Sequence, residues 1–412
     1  MAKSNHKRAL FILGLATSLS LLGDTAMYTV LPSQYSTVGI TLASVGILLS
    51  VNRFIRVFLN GPVGILTDRW PRRWVFVPAV FLGGISTAVY ALFGSFWPLL
   101  AGRLIWGLAW AGIWVSGNAI VLDISNENNR GTFIGRYQIA FFLGAAGGAV
   151  MGGLLTDLFS YHKAMAIASA ITLFGAVVAF FFLPETSRWR QAKVSNPRPG
   201  DELEHKPDVP QLISATALLA VNRLVIAGVL IATFGGYLAE KLGDSLDIGQ
   251  LTLGVATITG IALGASTLIG MLAAPTAGRL SDKYKSRWRV ASGGLTSGIL
   301  GFSLLSLGTP LSMIAGLPLA SISSGSNQSL STALIGDLTP RIRHGRRLGA
   351  FFTVGDLASA IGPPIAYLLI PVVGLSAIYV ACAGLLGLMF FLALQWAKKL
   401  KSAESGLIEE SS

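Results

Sequence analysis

Apolar residues run through this chain in long blocks rather than on alternate positions or on one helical face. Reading for uninterrupted runs of about 20 residues gives twelve, near 9–31, 39–63, 74–93, 97–122, 132–156, 163–183, 211–237, 248–274, 288–308, 311–336, 347–371 and 374–396. As helices rising ~1.5 Å per residue, such runs cross the hydrocarbon core of a bilayer. The connections are short, so successive helices are antiparallel neighbours. One polar stretch is longer. Residues 187–208 are rich in Pro and charge and can neither bury themselves nor span lipid. The pattern predicts an all-α membrane protein of 12 transmembrane helices, in two pseudosymmetric six-helix halves, 1–186 and 209–412, with 187–208 as a cytoplasmic linker. The tail after Lys401 reads as disordered. The first run is too long for the apolar region of a cleavable signal, and no small-residue cleavage site follows it.

Composition agrees with burial in lipid. The chain is 52% hydrophobic and 12% charged, against about 25% charged in a soluble domain. Its net charge of +12 raises the question of nucleic acid, and the distribution answers it. Alternating the loops from a cytoplasmic N-terminus puts 25 of the 31 Lys and Arg at cytoplasmic segments and helix ends, and only Lys163 and Lys241 on the other side. That is the positive-inside bias. It places both termini in the cytoplasm of an inner, multi-pass membrane protein. The excess charge then faces anionic lipid headgroups, not nucleic acid. The single cysteine, Cys382, excludes an intrachain disulfide.

Two loops repeat. Gly64-Ile65-Leu66-Thr67-Asp68-Arg69, followed by Arg73-Trp74, returns 214 positions later as Gly278-Arg279-Leu280-Ser281-Asp282-Lys283, followed by Arg287-Trp288. The same shift carries Asp123 to Asp337, Gly131 to Gly345, Gly135 to Gly349 and Gly148 to Gly362. The chain is therefore duplicated, as many transporters are.

With these residues in place, the chain resembles the major facilitator superfamily over essentially its whole length, and within it the 12-helix drug or metabolite:proton antiporter group. The family's loop G-x-L-x-D-R-x-G-R-R appears as Gly64-x-Leu66-x-Asp68-Arg69-x-Pro71-Arg72-Arg73, with Pro71 in place of Gly. Its fourth-helix signature appears as Arg103-Leu-Ile-Trp-Gly107, and its fifth-helix glycine motif as Gly144-x-x-x-Gly148-Ala149-x-x-Gly152-Gly153, with Ala149 replacing Pro. The first-helix exporter pattern runs from Leu22-Gly23 through Val30-Leu31-Pro32, with Thr29 replacing a Pro. The resemblance implies a cytoplasmic gate in which the loop Asp meets a helix N-terminus of the opposite half and the loop Arg pairs with an acid at the end of helix 4. It implies two clasps: Asp68 with Arg69, Arg73 and Asp123, and Asp282 with Arg287 and Asp337. Arg72 and Lys283 belong to the same gate.

Ionisable groups within membrane helices are costly and mark cavities or pathways. Here they are Asp24, Arg53, Arg56, Arg103, Arg223 and Asp356. Counted along the helices, Asp24 and Arg103 both lie roughly 10 Å below the outer surface and could pair. Arg53 and Arg223 fall near the midplane. Protonation of Asp24 or Asp356 would release an Arg, which makes Asp24, Arg103 and Asp356 the candidates for proton coupling. The alternative is a permanent pair that only orients helices. Candidate substrate contacts are Asp24, Tyr28, Arg53, Arg56, Trp110, Arg223, Asn327 and Gln328. Four Arg against two Asp favour anionic or zwitterionic cargo, whereas the exporter resemblance implies lipophilic cations. Trp106, Trp110 and Trp114 fall one per turn and either line a cavity or pack on neighbours. The polar tenth run, around Asn327 and Gln328, lines an aqueous cavity or bonds between helices. Gly144, Gly148 and Gly152 form a bare stripe suited to close helix packing.

The leading reading is a monomeric secondary transporter working by alternating access, exporting a small organic compound against protons; the alternative is coupled uptake of a small organic anion or metabolite. An enzyme is not expected. His6, His162, His205 and His344 fall in predicted termini or loops, and Cys382 is alone. There is no phosphate-binding motif of the Walker type, and neither a cofactor nor a metal is called for.

Overall fold

The computed structural model describes residues 2–125, 130–186, 209–248, 251–338 and 344–410, so the proposed linker 187–208 lies outside the described residues. Helices α1 (Ala2–Gln34), α2 (Leu42–Arg69), α3 (Arg73–Leu92), α4 (Phe96–Ile124), α5 (Arg130–Leu158) and α6 (Tyr161–Phe182) follow the first six predicted runs. Next come α7 (Val209–Leu242), a short hairpin of β1 (Ser245–Ile248) and β2 (Leu251–Gly254), then α8 (Val255–Lys283), α9 (Arg287–Ser306), α10 (Pro310–Asp337) and α11 (His344–Glu410). Among the described residues, nine of these helices are long and apolar enough to cross a membrane. The Ser- and Gly-rich α9 and α10 are not among the nine.

Three boundaries depart from the sequence reading. The run at 248–274 does not begin as helix. Residues 245–254 pair antiparallel, Ser245 opposite Gly254, and helix starts at Val255. Leu246-Asp247-Ile248 alternates with the two-residue period of a strand, a signal hidden inside an apolar block. The spans at 347–371 and 374–396 both lie in α11, which Gly374 interrupts with φ +74°, a left-handed conformation open to glycine. The helix also continues to Glu410 rather than ending at Lys401.

The chain forms two compact units. The first is Met1–Pro199 with Ile231–Thr267, and the second is Gly200–Leu230 with Leu268–Ser412. The later segments of the first unit join it because the end of α7 packs on α1 and the start of α8 packs on α5. Within the first unit α1 lies on α5 and α6, α3 on α4 and α6, and α2 on α4. Within the second, α9 packs on α10 and α11, and α7 on α11. The middle of α7, Arg223–Leu230, is π-helical, a geometry that recurs at functional positions.

The stripe on α5 is a packing seam. Cβ atoms built on Gly144 and Gly148 would lie 2.5 Å from Ser18 Cα and 2.8 Å from Leu22 Cα, and one on Gly152 would lie 2.5 Å from Ala26 Cα. These three contacts step down α1 by one turn each. Glycine therefore lets the two backbones touch, the main source of attraction between helices in lipid. Gly147, on another face, would meet nothing within 4 Å. Gly148→Leu is expected to cost at least 1–3 kcal/mol by overpacking, and Gly147→Leu to cost almost nothing. Thermal unfolding of the two variants in detergent checks this, and equal melting temperatures would remove the seam.

Candidate functional site

Three polar clusters stand out, the first at the α2–α3 turn. Pro71 cannot continue α2, and the chain turns so that Arg72, not Arg69 or Arg73, points inward. Arg72 is 5% exposed; its Nη2 reaches Asp68 Oδ1 at 3.4 Å and its Nε reaches Asp123 Oδ2 at 3.4 Å. Thr186 donates to the same Asp123 oxygen at 3.1 Å. The Glu185 carboxylate accepts the backbone N–H groups of Arg72 and Arg73 at 3.0 and 3.1 Å. It thereby caps the start of α3, where a negative charge is favoured. This corrects the expected partners. Arg69 is exposed, and the Arg73 guanidinium donates to the Phe180 carbonyl and lies over the Phe180 and Trp74 rings. Spacing explains the exchange: Asp68 and Arg72 are i and i+4.

The repeated loop closes around a different register. Arg287 holds Asp337 with Nε and Nη2, the latter at 3.4 Å, and its Nη1 reaches Asp282 at 3.4 Å and Ser281 Oγ at 3.1 Å. By the 214-residue shift, Arg287 corresponds to Arg73 and Ser286 to Arg72. Arg287 is 27% exposed, so its pairs are better hydrated and individually weaker than those of Arg72. Lys283 is exposed.

The second cluster lies inside the helices of the first unit. Arg103, 0% exposed, donates to Asp24 at 2.6 Å. Its Cζ lies 5.0 Å from the Tyr28 ring and 5.5 Å from the Tyr90 ring, and its Nε and Nη2 make no hydrogen bond. Arg53 sits 4.8 Å from the same Tyr28 ring. The Tyr28 hydroxyl donates to the Leu49 carbonyl at 2.6 Å and reaches Asn52 Oδ1 at 3.2 Å, while Asn52 Nδ2 reaches Asp24 at 3.5 Å. One turn of α1 thus gathers two guanidiniums and one carboxylate around a tyrosine. The ring face attracts cations, and Asp24 is 15% exposed. Arg56 is half-buried in the same unit.

Arg223 and Asp356 belong to the second unit, both half-buried. A Cβ on Gly355 would lie 3.5 Å from Arg223 Cγ, so Asp356 adjoins the contact between α11 and the π-helical part of α7.

Two substrate candidates pack against neighbouring helices. Trp110 is buried, stacked between Trp106 and Trp114 at 5.9 and 5.6 Å and against Phe141 of α5 at 5.8 Å. The ladder packs in the α4–α5 core, with Trp114 partly buried at its end. Asn327 is 0% exposed, donates to Ser323 Oγ at 3.1 Å, and abuts Gly294 of α9. It bonds within a helix seam. Gln328 is half-buried.

The third cluster had no counterpart in the sequence reading. At the end of α5, Asp157 accepts the backbone N–H of Thr257 at 2.6 Å, in the first turn of α8. Nearby, Gly153 meets the Ala256 carbonyl, Gly260 the Ala149 carbonyl and Gly264 the Val150 side chain. A carboxylate on a helix N-terminus satisfies open N–H groups and faces the positive end of the dipole. Glu185 repeats that arrangement at α3. Neither acid lies in a motif; the available signal was an acid just past the end of an apolar run.

The family model for the Major Facilitator Superfamily matches residues 13–246 and 225–411. A tetracycline resistance protein, class G, of Vibrio anguillarum is 24% identical over 82% of this chain and 81% of that protein. The 4-hydroxybenzoate transporter PcaK of Pseudomonas aeruginosa is 29% identical over 44% of this chain and 41% of that one. In fold, the chain is similar to a bacterial homolog of the human lysosomal transporter Spinster, with a TM-score of 0.77 at 17% identity, covering 94% of this chain and 96% of that one.

Removing one partner of a buried ion pair strands the other. Arg72→Ala is therefore expected to lower stability by about 3 kcal/mol through the loss of Asp123's partner, while Arg69→Ala stays within about 0.5 kcal/mol. Chemical unfolding of the purified variants reads the difference, and a larger loss for Arg69→Ala would show that the wrong arginine is the hub.

Proposed function

Because the chain belongs to the major facilitator superfamily, a family of membrane transporters that bind small-molecule substrates, we propose that it exports a small organic compound by alternating access, in exchange for protons. The observation that carries this reading is the Asp24–Arg103 pair. A fully buried guanidinium is tolerable while a carboxylate neutralises it. A proton arriving at Asp24 removes that charge and leaves Arg103 to the Tyr28 and Tyr90 rings alone. The conformation that shelters the deprotonated pair is then no longer favoured, and the equilibrium shifts. A cationic substrate group at Asp24 competes with the proton for the same carboxylate, so proton and cargo exclude each other, whereas an anion on Arg103 would bind together with the proton.

Two further arrangements support alternating access. Asp157 on the α8 N-terminus, with the glycine contacts around it, serves as the outer latch. The Arg72 and Arg287 clusters, on the basic face, serve as the cytoplasmic gate. This topology sets both termini in the cytoplasm of the inner membrane, and the protein works as a monomer. The halves 1–186 and 209–412 act as the moving parts.

The second reading, coupled uptake of an organic anion, is favoured by one local feature: two guanidiniums, Arg53 and Arg103, lie against the Tyr28 ring beside Asp24. Likeness to a 4-hydroxybenzoate transporter points the same way.

Flux into and out of proteoliposomes under an imposed pH gradient tests these statements. An inward proton gradient is expected to drive concentrative export, and Asp24→Asn to abolish the drive while leaving downhill exchange. Transport indifferent to the gradient would remove the proton. Concentrative export of cationic dyes that is lost in Asp24→Asn would exclude the anion preference.

A further inference from the structure

The duplication supplies an internal comparison at the foot of α8, α9 and α10. In the first unit the corresponding place is a packed apolar cluster of Val63, Val75 and Ala111, with Leu59 and Val115 against it. Under the 214-residue shift, Leu59 becomes Ala273, Val63 becomes Ala277, Ala79 becomes Gly293, Val80 becomes Gly294 and Val75 becomes Arg289. Four side chains have shrunk and one has become a cation. The result is a groove of about 400 Å³ lined by Ala273, Ala277, Leu280, Gly293 and Ile322, with Arg289 and Tyr284 at its mouth.

From this geometry we infer a binding site for an anionic phospholipid, with an acyl chain in the groove and the headgroup phosphate on Arg289. Apart from Thr276 and Ser326 the walls are apolar and suit a hydrocarbon chain, and Leu280 and Ile322 are 46% and 39% exposed, so the groove opens to its surroundings. The charge at the mouth is single-signed beyond the Arg287 cluster. Arg279, Lys283, Lys285 and Arg289 are all exposed there, the arrangement that attracts acidic headgroups. Arg289 lies 5.9 Å from the Tyr284 ring, which limits its freedom, and a guanidinium matches phosphate geometry. A volume of this size with one charged rim is the shape of a lipid site, whereas a free anion would leave the groove empty. The inference rests on the topology proposed above only for which leaflet supplies the lipid.

Native mass spectrometry of the purified protein with phosphatidylglycerol, phosphatidylcholine or inorganic phosphate tests it. One retained phosphatidylglycerol is expected on the wild type. Arg289→Gln should hold it about ten-fold less tightly, as the loss of one charge-assisted bond implies. Gly293→Leu should lose it altogether. A Cβ at Gly293 meets nothing within 4 Å, so this variant fills the groove without disturbing the fold, and unchanged melting confirms that. Equal retention of phosphatidylglycerol by both variants overturns the site. Equal retention of phosphatidylcholine overturns the role of headgroup charge, and displacement by inorganic phosphate overturns the lipid as occupant. Leaflet is read separately, by labelling Lys285→Cys in sealed vesicles. Labelling from outside would refute the proposed topology and leave the lipid site standing.

Discussion

A charge surrounded by hydrocarbon must find a partner or leave, and most of this chain is arranged by that constraint. Isolated, such a charge costs several kcal/mol even by the mildest scales. The sequence therefore banishes nearly all its Lys and Arg to helix ends and loops, and those that stay inside are held by particular neighbours. Arg103 has Asp24 and two tyrosine rings. Arg53 shares one of those rings. Arg72, at the border, has two carboxylates. A pair held this way can also be exchanged, because any proton or anion that replaces one member changes which conformation is affordable. The placement of the basic residues and the pairing of Arg103 thus come from one cost.

The uncharged seams obey the complementary constraint. With no hydrophobic gain from leaving lipid for lipid-like surroundings, helices hold together by close contact. On α5 the stripe at Gly144, Gly148 and Gly152 brings α1 to backbone distance, while Gly153 touches Ala256 of α8. A single helix therefore carries two bare faces. Contacts made of backbone and small residues carry few side-chain bonds to break, so the α5–α8 face suits a junction that opens. Asp157 on the α8 N-terminus adds one directional bond to an otherwise smooth surface.

How much of this could be read from the chain depends on the range of the signal. Helix positions were legible because a run of about 20 apolar residues is a strong, local pattern. The Asp24–Arg103 pair was legible because both charges are expensive at equal depth. The identity of the clasp arginine was not. Arg69, Arg72 and Arg73 are equivalent in sequence, and the choice falls to a turn at Pro71 that buries only Arg72. The packing of Trp110 and Asn327 was hidden for a related reason. Aromatic and amide side chains suit a cavity wall and a helix seam equally well, and only the neighbouring helix, through Phe141 or Gly294, decides. The β-hairpin was masked by hydrophobicity itself, since a short strand within an apolar run contributes to the same average.

The two copies of the loop finally show what duplication permits. Both keep Gly-x-Leu-x-Asp, yet the bridging arginine is Arg72 in the first copy and Arg287, the equivalent of Arg73, in the second. The first copy retains the apolar filling beneath its loop, and the second has lost it to alanine and glycine. These changes go together. Arg72 is buried, with Asp68 and Asp123 as its partners, a strongly held position. Over the hollowed floor of the second copy, Arg287 stays hydrated and its bonds are more readily traded. Two pseudosymmetric loops thereby become unequal, with a firm clasp on one side and a softer one on the other. The softer one sits directly beside the groove, so an occupant pressing on α8 and α9 would act on the weaker of the two clasps.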